Sequence, residues 1–262
     1  MPMHEHSYLT HLLSQARKQG LDLTSVYASL GINADDVMQQ RLTPDMQATL
    51  YQRILFLAQD EYFGMLGGGQ VPNGTFRMLC YSVIHAPTLE RAIRRTSEFH
   101  ELCRGMQVKP ELQRRGRSAQ VSLQATQASE QSLAQLLEAE TPLRVATLLS
   151  MWHNFISWLV GCRIPLTGVS FSFPRPDNIA ELQQLLLCPL SFAQPTTKLR
   201  FPALYLDYPL VQTDDSLRTF LKTAPYPLLS PRIQGGTLRG RVEAMLGQDF
   251  SRALPDARMM AE

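Results

Sequence analysis

The spacing of apolar residues changes near residue 105, and this change constrains the fold more than any single motif. Before it, apolar positions recur every three or four residues, the period of a helix with one buried face. Leu9, Leu12, Leu13 and Ala16 predict a first helix, with Gly20 as its stop. Leu23–Leu30 predicts a second, closed by Gly31, and Thr43-Pro44-Asp45 opens a third with Met46, Leu50, Ile54, Leu57 and Ala58 on one face. These short helices predict a compact helical subdomain over about 1–62. After a glycine-rich stretch comes an apolar helix over 76–84, broken by Ala86-Pro87. Thr88 then caps a helix running to about Cys103, with Leu89, Ala92, Ile93, Thr96, Phe99, His100 and Cys103 on its inner face.

Beyond the change, residues 106–112 and 119–125 alternate apolar with polar, as half-buried strands do. Arg114-Arg115-Gly116-Arg117 makes the turn between them, and Val121, Leu123 and Ala125 share one strand face. A helical region over about 132–160 carries Pro142, which kinks or splits it. A strand over 166–173, a helix over 179–187, short strands over 189–192 and 199–201 and a helix over 214–221 follow. Pro225, Pro227, Ser230, Pro231, Gly235 and Gly236 mark a linker over 225–236, and 237–262 reads as two helical pieces. Few and short strands among many helices predict an α+β fold with more helix than sheet.

Hydrophobic residues are 44% and charged residues 18%, the balance of a folded, water-soluble chain. The longest apolar stretch, 143–160, holds Arg144, His153 and Asn154, which are costly in lipid. It therefore reads as a helix of a soluble domain, and no membrane partner is expected. With no secretory signal read at the N-terminus, Cys80, Cys103, Cys162 and Cys188 are expected to be reduced thiols of a cytoplasmic protein. The net charge of +2 excludes a chain that is basic throughout. Residues 91–117 nevertheless carry eight Lys or Arg against three acids. That cluster is a solvated face or, alternatively, an attractor for an anionic ligand or nearby DNA.

No catalytic set assembles, so an enzyme is not expected. The Gly67–Gly74 loop lacks the Lys-Ser/Thr ending of a P-loop and follows no clear strand, so it reads as a connection. His4, His6 and His11 have no cysteine nearby to complete a metal set, and neither metal nor cofactor is expected. His100 and Cys103 read as two core-facing side chains on one helix stripe, and Asp214-Asp215 as a helix start.

Two inward polar positions suggest an apolar pocket with a few orienting groups. His100 shares a face with Leu89, Ile93 and Thr96. On the long helix, Arg144, Thr147, Ser150 or Met151, and Asn154 form a stripe flanked by Trp152, Phe155 and Trp158. Arg77, Tyr81, His100, Arg144, Trp152 and His153 are the candidate ligand contacts. Arg144 and Ser150 fit a solvent-facing stripe as well, and His100 and His153 fit structural histidines.

The runs Gly74-Thr75-Phe76-Arg77-Met78-Leu79-Cys80-Tyr81 and Ala86-Pro87-Thr88-Leu89-Glu90-Arg91-Ala92-Ile93-Arg94-Arg95 resemble AraC/XylS-type transcriptional regulators with an arabinose-binding-type N-terminal domain. Residues 165–176, Pro189-Leu190-Ser191-Phe192, Leu199-Arg200-Phe201-Pro202, Tyr208-Pro209-Leu210 and Thr213-Asp214-Asp215-Ser216-Leu217 follow in the order of that family. The resemblance spans about 10–255. It implies an effector-binding and dimerisation domain over 1–224, a linker over 225–236, and over 237–262 an incomplete helix-turn-helix domain that stops before a recognition helix. It further implies an unidentified small-molecule effector, a homodimer, and DNA contact through the complete protein's C-terminal domain but not through this chain alone. A pure dimerisation or protein-interaction module is the alternative; a small-molecule enzyme is a weaker one.

Overall fold

Local signals set most helix boundaries. In the structure, a computed structural model describing residues 3–39, 41–62, 70–138, 140–177 and 179–229, α1 spans Met3–Lys18 and α2 spans Leu23–Leu30. The Asp22 carboxylate caps α2, accepting from the Thr24 and Ser25 N–H groups, and Gly31 ends it at φ 64°. A short helix absent from the sequence reading, α3 (Ala34–Met38), begins at Asn33. Thr43 caps α4 (Pro44–Ala58), with Pro44 in the first turn where its missing N–H costs nothing. The buried side of α4 is Gln47, Ala48, Leu50, Tyr51, Ile54 and Leu55. Leu57, expected on that side, is exposed, because the helix turns toward α2 on one flank and toward residues 226–229 on the other.

The helices α5 (Thr75–Val83) and α6 (Leu89–Leu102) follow, the latter capped by Thr88. Leu89, Ala92, Ile93, Thr96 and His100 of the expected α6 face are buried, while Phe99 and Cys103 are half-buried. Gly105 then turns the chain at φ +89°; a Cβ there would lie 2.3 Å from the Gln70 carbonyl oxygen. That close backbone approach and the positive φ together require glycine.

The hairpin of β1 (Val108–Arg115) and β2 (Ser118–Ala125) pairs Leu112 with Val121 and Pro110 with Leu123. Pro110 is tolerated because β1 is an edge strand. Pro142 splits the long helical region into α7 (Leu133–Glu138) and α8 (Pro142–Leu159), sitting in the first turn of α8 behind the Thr141 cap. After β3 (Gly168–Ser170) come α9 (Ile179–Leu186), β4 (Leu190–Ser191) and β5 (Lys198–Pro202). A 3₁₀ turn over Ala203–Asp207, not foreseen, leads to α10 (Asp214–Leu221), whose start is a reciprocal Thr213–Ser216 capping box.

The sheet order is β1-β2-β5-β3-β4, antiparallel except for the β3–β4 pair. The strand expected over 166–173 pairs regularly only through Ser170. Phe171 still donates its N–H to Ser191, and Phe171, Phe173 and Phe192 gather as a ring cluster. Helix α6 lies against β1, and α8 packs between α6, α9 and residues 226–229. Fold class is therefore α+β, with one hydrophobic core continuous from Leu12 and Tyr51 to Phe171 and Phe201.

The start of the expected linker differs. Residues Tyr226–Leu229 form a 3₁₀ turn in which Tyr226, Leu228 and Leu229 are buried. The Tyr226 hydroxyl donates to Gln47 Oε1. Gln52 Nε2 donates to the Lys222 and Ala224 carbonyls, at 3.2 and 2.7 Å. Proline composition marked 225–229 as connecting chain, but its apolar residues are covered by α4 and α8. The rest of the linker and both terminal helical pieces, 230–262, lie outside the described residues.

Candidate ligand cavity

Helices α5, α6 and α8 leave a small space between themselves, the turn after α4 and residues 225–228. The cavity measures about 40 Å³. Its aromatic wall includes Tyr51, Tyr62, Phe76, Trp152 and Phe155, and its polar side chains include Glu61, Thr96 and His100. Pro225 and Leu228 close it. It has room for a water or two, and none for a metabolite as it stands.

His100 organises the polar side. Its Nδ1 lies 2.7 Å from the Thr96 carbonyl oxygen, which can only accept, so Nδ1 carries the proton. Nε2 is then the acceptor for the Tyr62 hydroxyl at 3.1 Å. Burial lowers the His100 pKa to about 4, with the Thr96 carbonyl opposing that shift, so the ring is neutral at pH 7. Burial, followed by repulsion from Cys103, Glu61 and Cys80, raises the Tyr62 phenol. The imidazole meets Trp152 edge-on, with ring centres 6.2 Å apart.

The wall's second fixed point is Glu61. Its carboxylate accepts the Gly74 N–H at 2.5 Å and the Phe76 N–H at 2.7 Å, so it caps the start of α5. Phe76 is thereby held in place and packs on Phe155. On its far side Phe76 borders an open groove of about 540 Å³. Gln52, Phe56, Asn73, Arg77 and Lys222 line that groove, and Glu61, Phe76 and Pro225 belong to both spaces.

The candidate contacts separate accordingly. His100 and Trp152 meet in the cavity, and Arg77 lies in the adjoining groove. Tyr81 is exposed on α5 and borders neither space. Arg144 pairs with Glu140 at 2.5 Å, one turn away on the helix entry, and lies outside the cavity wall. His153 faces away from the cavity: its Nε2 donates to the Ile164 carbonyl at 2.7 Å, and burial lowers its pKa to about 4. Asn154 donates to the Leu228 carbonyl at 2.8 Å, so it holds the segment that closes the cavity.

Of the stripe expected on α8, Met151 and the flanking Trp152 and Phe155 line the cavity, whereas Arg144, Thr147, Ser150 and Asn154 do not. Leu148, Met151, Trp152 and Phe155 face the cavity, a set with the same helical spacing that lacks polar residues other than the indole. Tyr62, Phe76 and Leu228 were not foreseen. The sequence signals available were His100, a polar residue on an apolar face, and the aromatic residues Trp152 and Phe155 on α8.

Among the described residues no three His, Cys, Asp or Glu side chains are placed to hold a metal ion, and no helix is long and apolar enough to cross a membrane. The four cysteines are unpaired with one another. Desolvation raises the Cys80 thiol and raises that of Cys188 to about 11, against the ordinary behaviour of a reactive thiolate. The basic cluster is partly neutralised in place. Lys109 pairs with Glu101 at 2.6 Å, Arg94 with Glu90 at 2.8 Å, and Arg114 bridges Asp207 and Glu90.

Residues 20–210 match the family described as the arabinose-binding domain of AraC transcription regulators, N-terminal. The chain belongs to that family. No curated protein matches it. Among solved structures it is similar to the transcriptional regulator CdpR from Pseudomonas aeruginosa, at 15% identity and a TM-score of 0.38 over 91% of this chain and 72% of that one.

Proposed function

We propose that this chain senses a small molecule in the cavity between α5, α6 and α8 and passes the change to whatever follows residue 229. The observation that carries this reading is the cavity wall itself. Pro225 and Leu228, in the segment that leads toward the C-terminal part, face His100 and Trp152 across the same space. A ligand that enlarges the cavity by displacing them binds one arrangement of the exit segment better than the other. Such differential affinity is what couples a site to a distant output.

In this reading the effector-binding body extends to residue 229, and the linker to the C-terminal part follows it. A helix-turn-helix domain beyond would contact DNA, in a cytoplasmic regulator acting as a homodimer. Met78 and Tyr81, large and exposed one turn apart on α5, support a dimer contact there.

The test is thermal denaturation against a panel of metabolites. A compound that binds the folded state raises the melting temperature by mass action. The shift should disappear when Leu148→Phe fills the cavity. The small volume of the cavity favours a second reading, a dimerisation module without ligand. That reading predicts no shift from any compound and a sedimentation coefficient that rises with protein concentration.

A further inference from the structure

The hydrogen-bond directions around the cavity restrict what could occupy it. The Thr96 hydroxyl donates to the Ala92 carbonyl at 3.0 Å, His100 donates through Nδ1 to Thr96, and Tyr62 donates to His100. All three protons are thus committed within the protein. The oxygens of Tyr62 and Thr96 retain lone pairs, and each Glu61 oxygen accepts one backbone N–H with capacity for another. Trp152 adds an indole N–H, a donor without charge. Apart from the Tyr51 hydroxyl, the polar part of the wall thus offers chiefly acceptors, one of them a carboxylate, among aromatic rings.

Resting on the sensor reading above, we infer that the cavity takes an apolar or aromatic molecule bearing a hydroxyl or ammonium donor, and rejects carboxylates. A donor on the ligand finds the Glu61 carboxylate and the Tyr62 oxygen. An ammonium gains in addition from the ring faces of Tyr51, Phe76 and Trp152. A ligand carboxylate would meet Glu61 with like charge, and among the described residues no cation lines the cavity to oppose it. Arg77 and Lys222 lie on the groove side, beyond Phe76. A ligand of about ten heavy atoms does not fit 40 Å³. Its entry requires the wall to give way, and Phe76 and Pro225, which with Glu61 border both the cavity and the groove, are the side chains to displace.

Three probes with a common ring test this: 2-phenylethylamine, 2-phenylethanol and phenylacetate, each followed by thermal denaturation of the whole chain. At ten times its Kd a ligand of a domain this size raises the melting temperature by about 3–5 °C. The amine or the alcohol should do so and phenylacetate should not. Leu148→Phe should abolish the shift. Glu61→Gln should weaken the amine about tenfold and the alcohol less, because only the ammonium loses a charged partner, which separates ammonium from hydroxyl recognition. Trp152 fluorescence, read in a Trp158→Phe background, should change with the same midpoint. If phenylacetate gives the larger shift, and Arg77→Ala removes it, the donor class is wrong while the sensor reading stands. Shifts that survive Leu148→Phe, or no shift from any of the three, overturn the inference. The sensor reading falls as well only if the wider metabolite panel also leaves the melting temperature unmoved.

Discussion

His100 and His153 are both buried as neutral rings, and acid should cost this domain stability in proportion. Each has its pKa lowered to about 4, against 6.5 in the unfolded chain. Between these values the unfolded state binds more protons than the folded one, so stability falls as pH falls from about 7 toward 4. At pH 5 each ring withholds about 2 kcal/mol relative to pH 8, and the pair about 4 kcal/mol. The carboxylates titrate in the same range, so the measurement has to be differential. Urea unfolding at pH 8 and pH 5 would be compared for the wild type and for a His100→Gln, His153→Gln double variant. Glutamine keeps a donor for the Thr96 and Ile164 carbonyls and cannot take up the proton. The wild type should lose about 4 kcal/mol more than the variant across that interval, and each single variant about half of the excess. An excess below about 1 kcal/mol would refute the assignment of both rings as buried and neutral, and with it the proton directions from which the ligand class was argued.

Three further outcomes follow from the packing. Asn154→Ala should destabilise the domain by about 1–3 kcal/mol, because the buried Leu228 carbonyl loses its donor; urea titration reads the loss, and limited proteolysis should cut near residue 229 sooner. Gly105→Ala should cost on the order of 1–3 kcal/mol, since a methyl there meets the Gln70 backbone at a φ that disfavours it; a midpoint equal to wild type would show that this backbone approach relaxes freely. Phe201→Ala, removing a fully buried ring opposite Ala119 in the sheet, should cost about 3–5 kcal/mol and lower the denaturation midpoint without changing its slope.

The helix ends were legible because a cap is a local device. Thr88, Thr213, Gly31 and Pro142 act on backbone groups within four residues of themselves, and their effect survives any tertiary context. The β1–β2 hairpin was legible for the same reason, its turn lying between two alternating runs. The strand over 166–173 was overestimated because its regular pairing depends on how long β4 is, which nothing local to Phe171 specifies. The short helix at Ala34–Met38 and the 3₁₀ turn after β5 have too few residues to show a period.

For the cavity, the sequence marked His100, Trp152, Met151 and Phe155, while Arg144, Thr147, Ser150 and Asn154 of the same helix lie outside it. A helix as apolar as 142–159 buries nearly its whole circumference, so its pattern does not say which side meets α6 and which meets α9. Arg144 and Asn154 look like one polar stripe in projection, yet one pairs with Glu140 at the helix entry and the other holds Leu228. Proline content likewise set 225–229 apart as linker, whereas burial of Tyr226, Leu228 and Leu229 makes it a wall of the cavity.

What the sequence determined by itself was the α+β class, most of the elements and the family, since these rest on periodicity, caps and ordered motifs along the chain. The tertiary structure alone decided which helix faces meet, that His100 carries its proton on Nδ1, and that the exit segment closes the cavity. Those facts depend on contacts between Gln47 and Tyr226, Tyr62 and His100, and Asn154 and Leu228. The partners are separated by tens of residues or more, and no local pattern records such a distance.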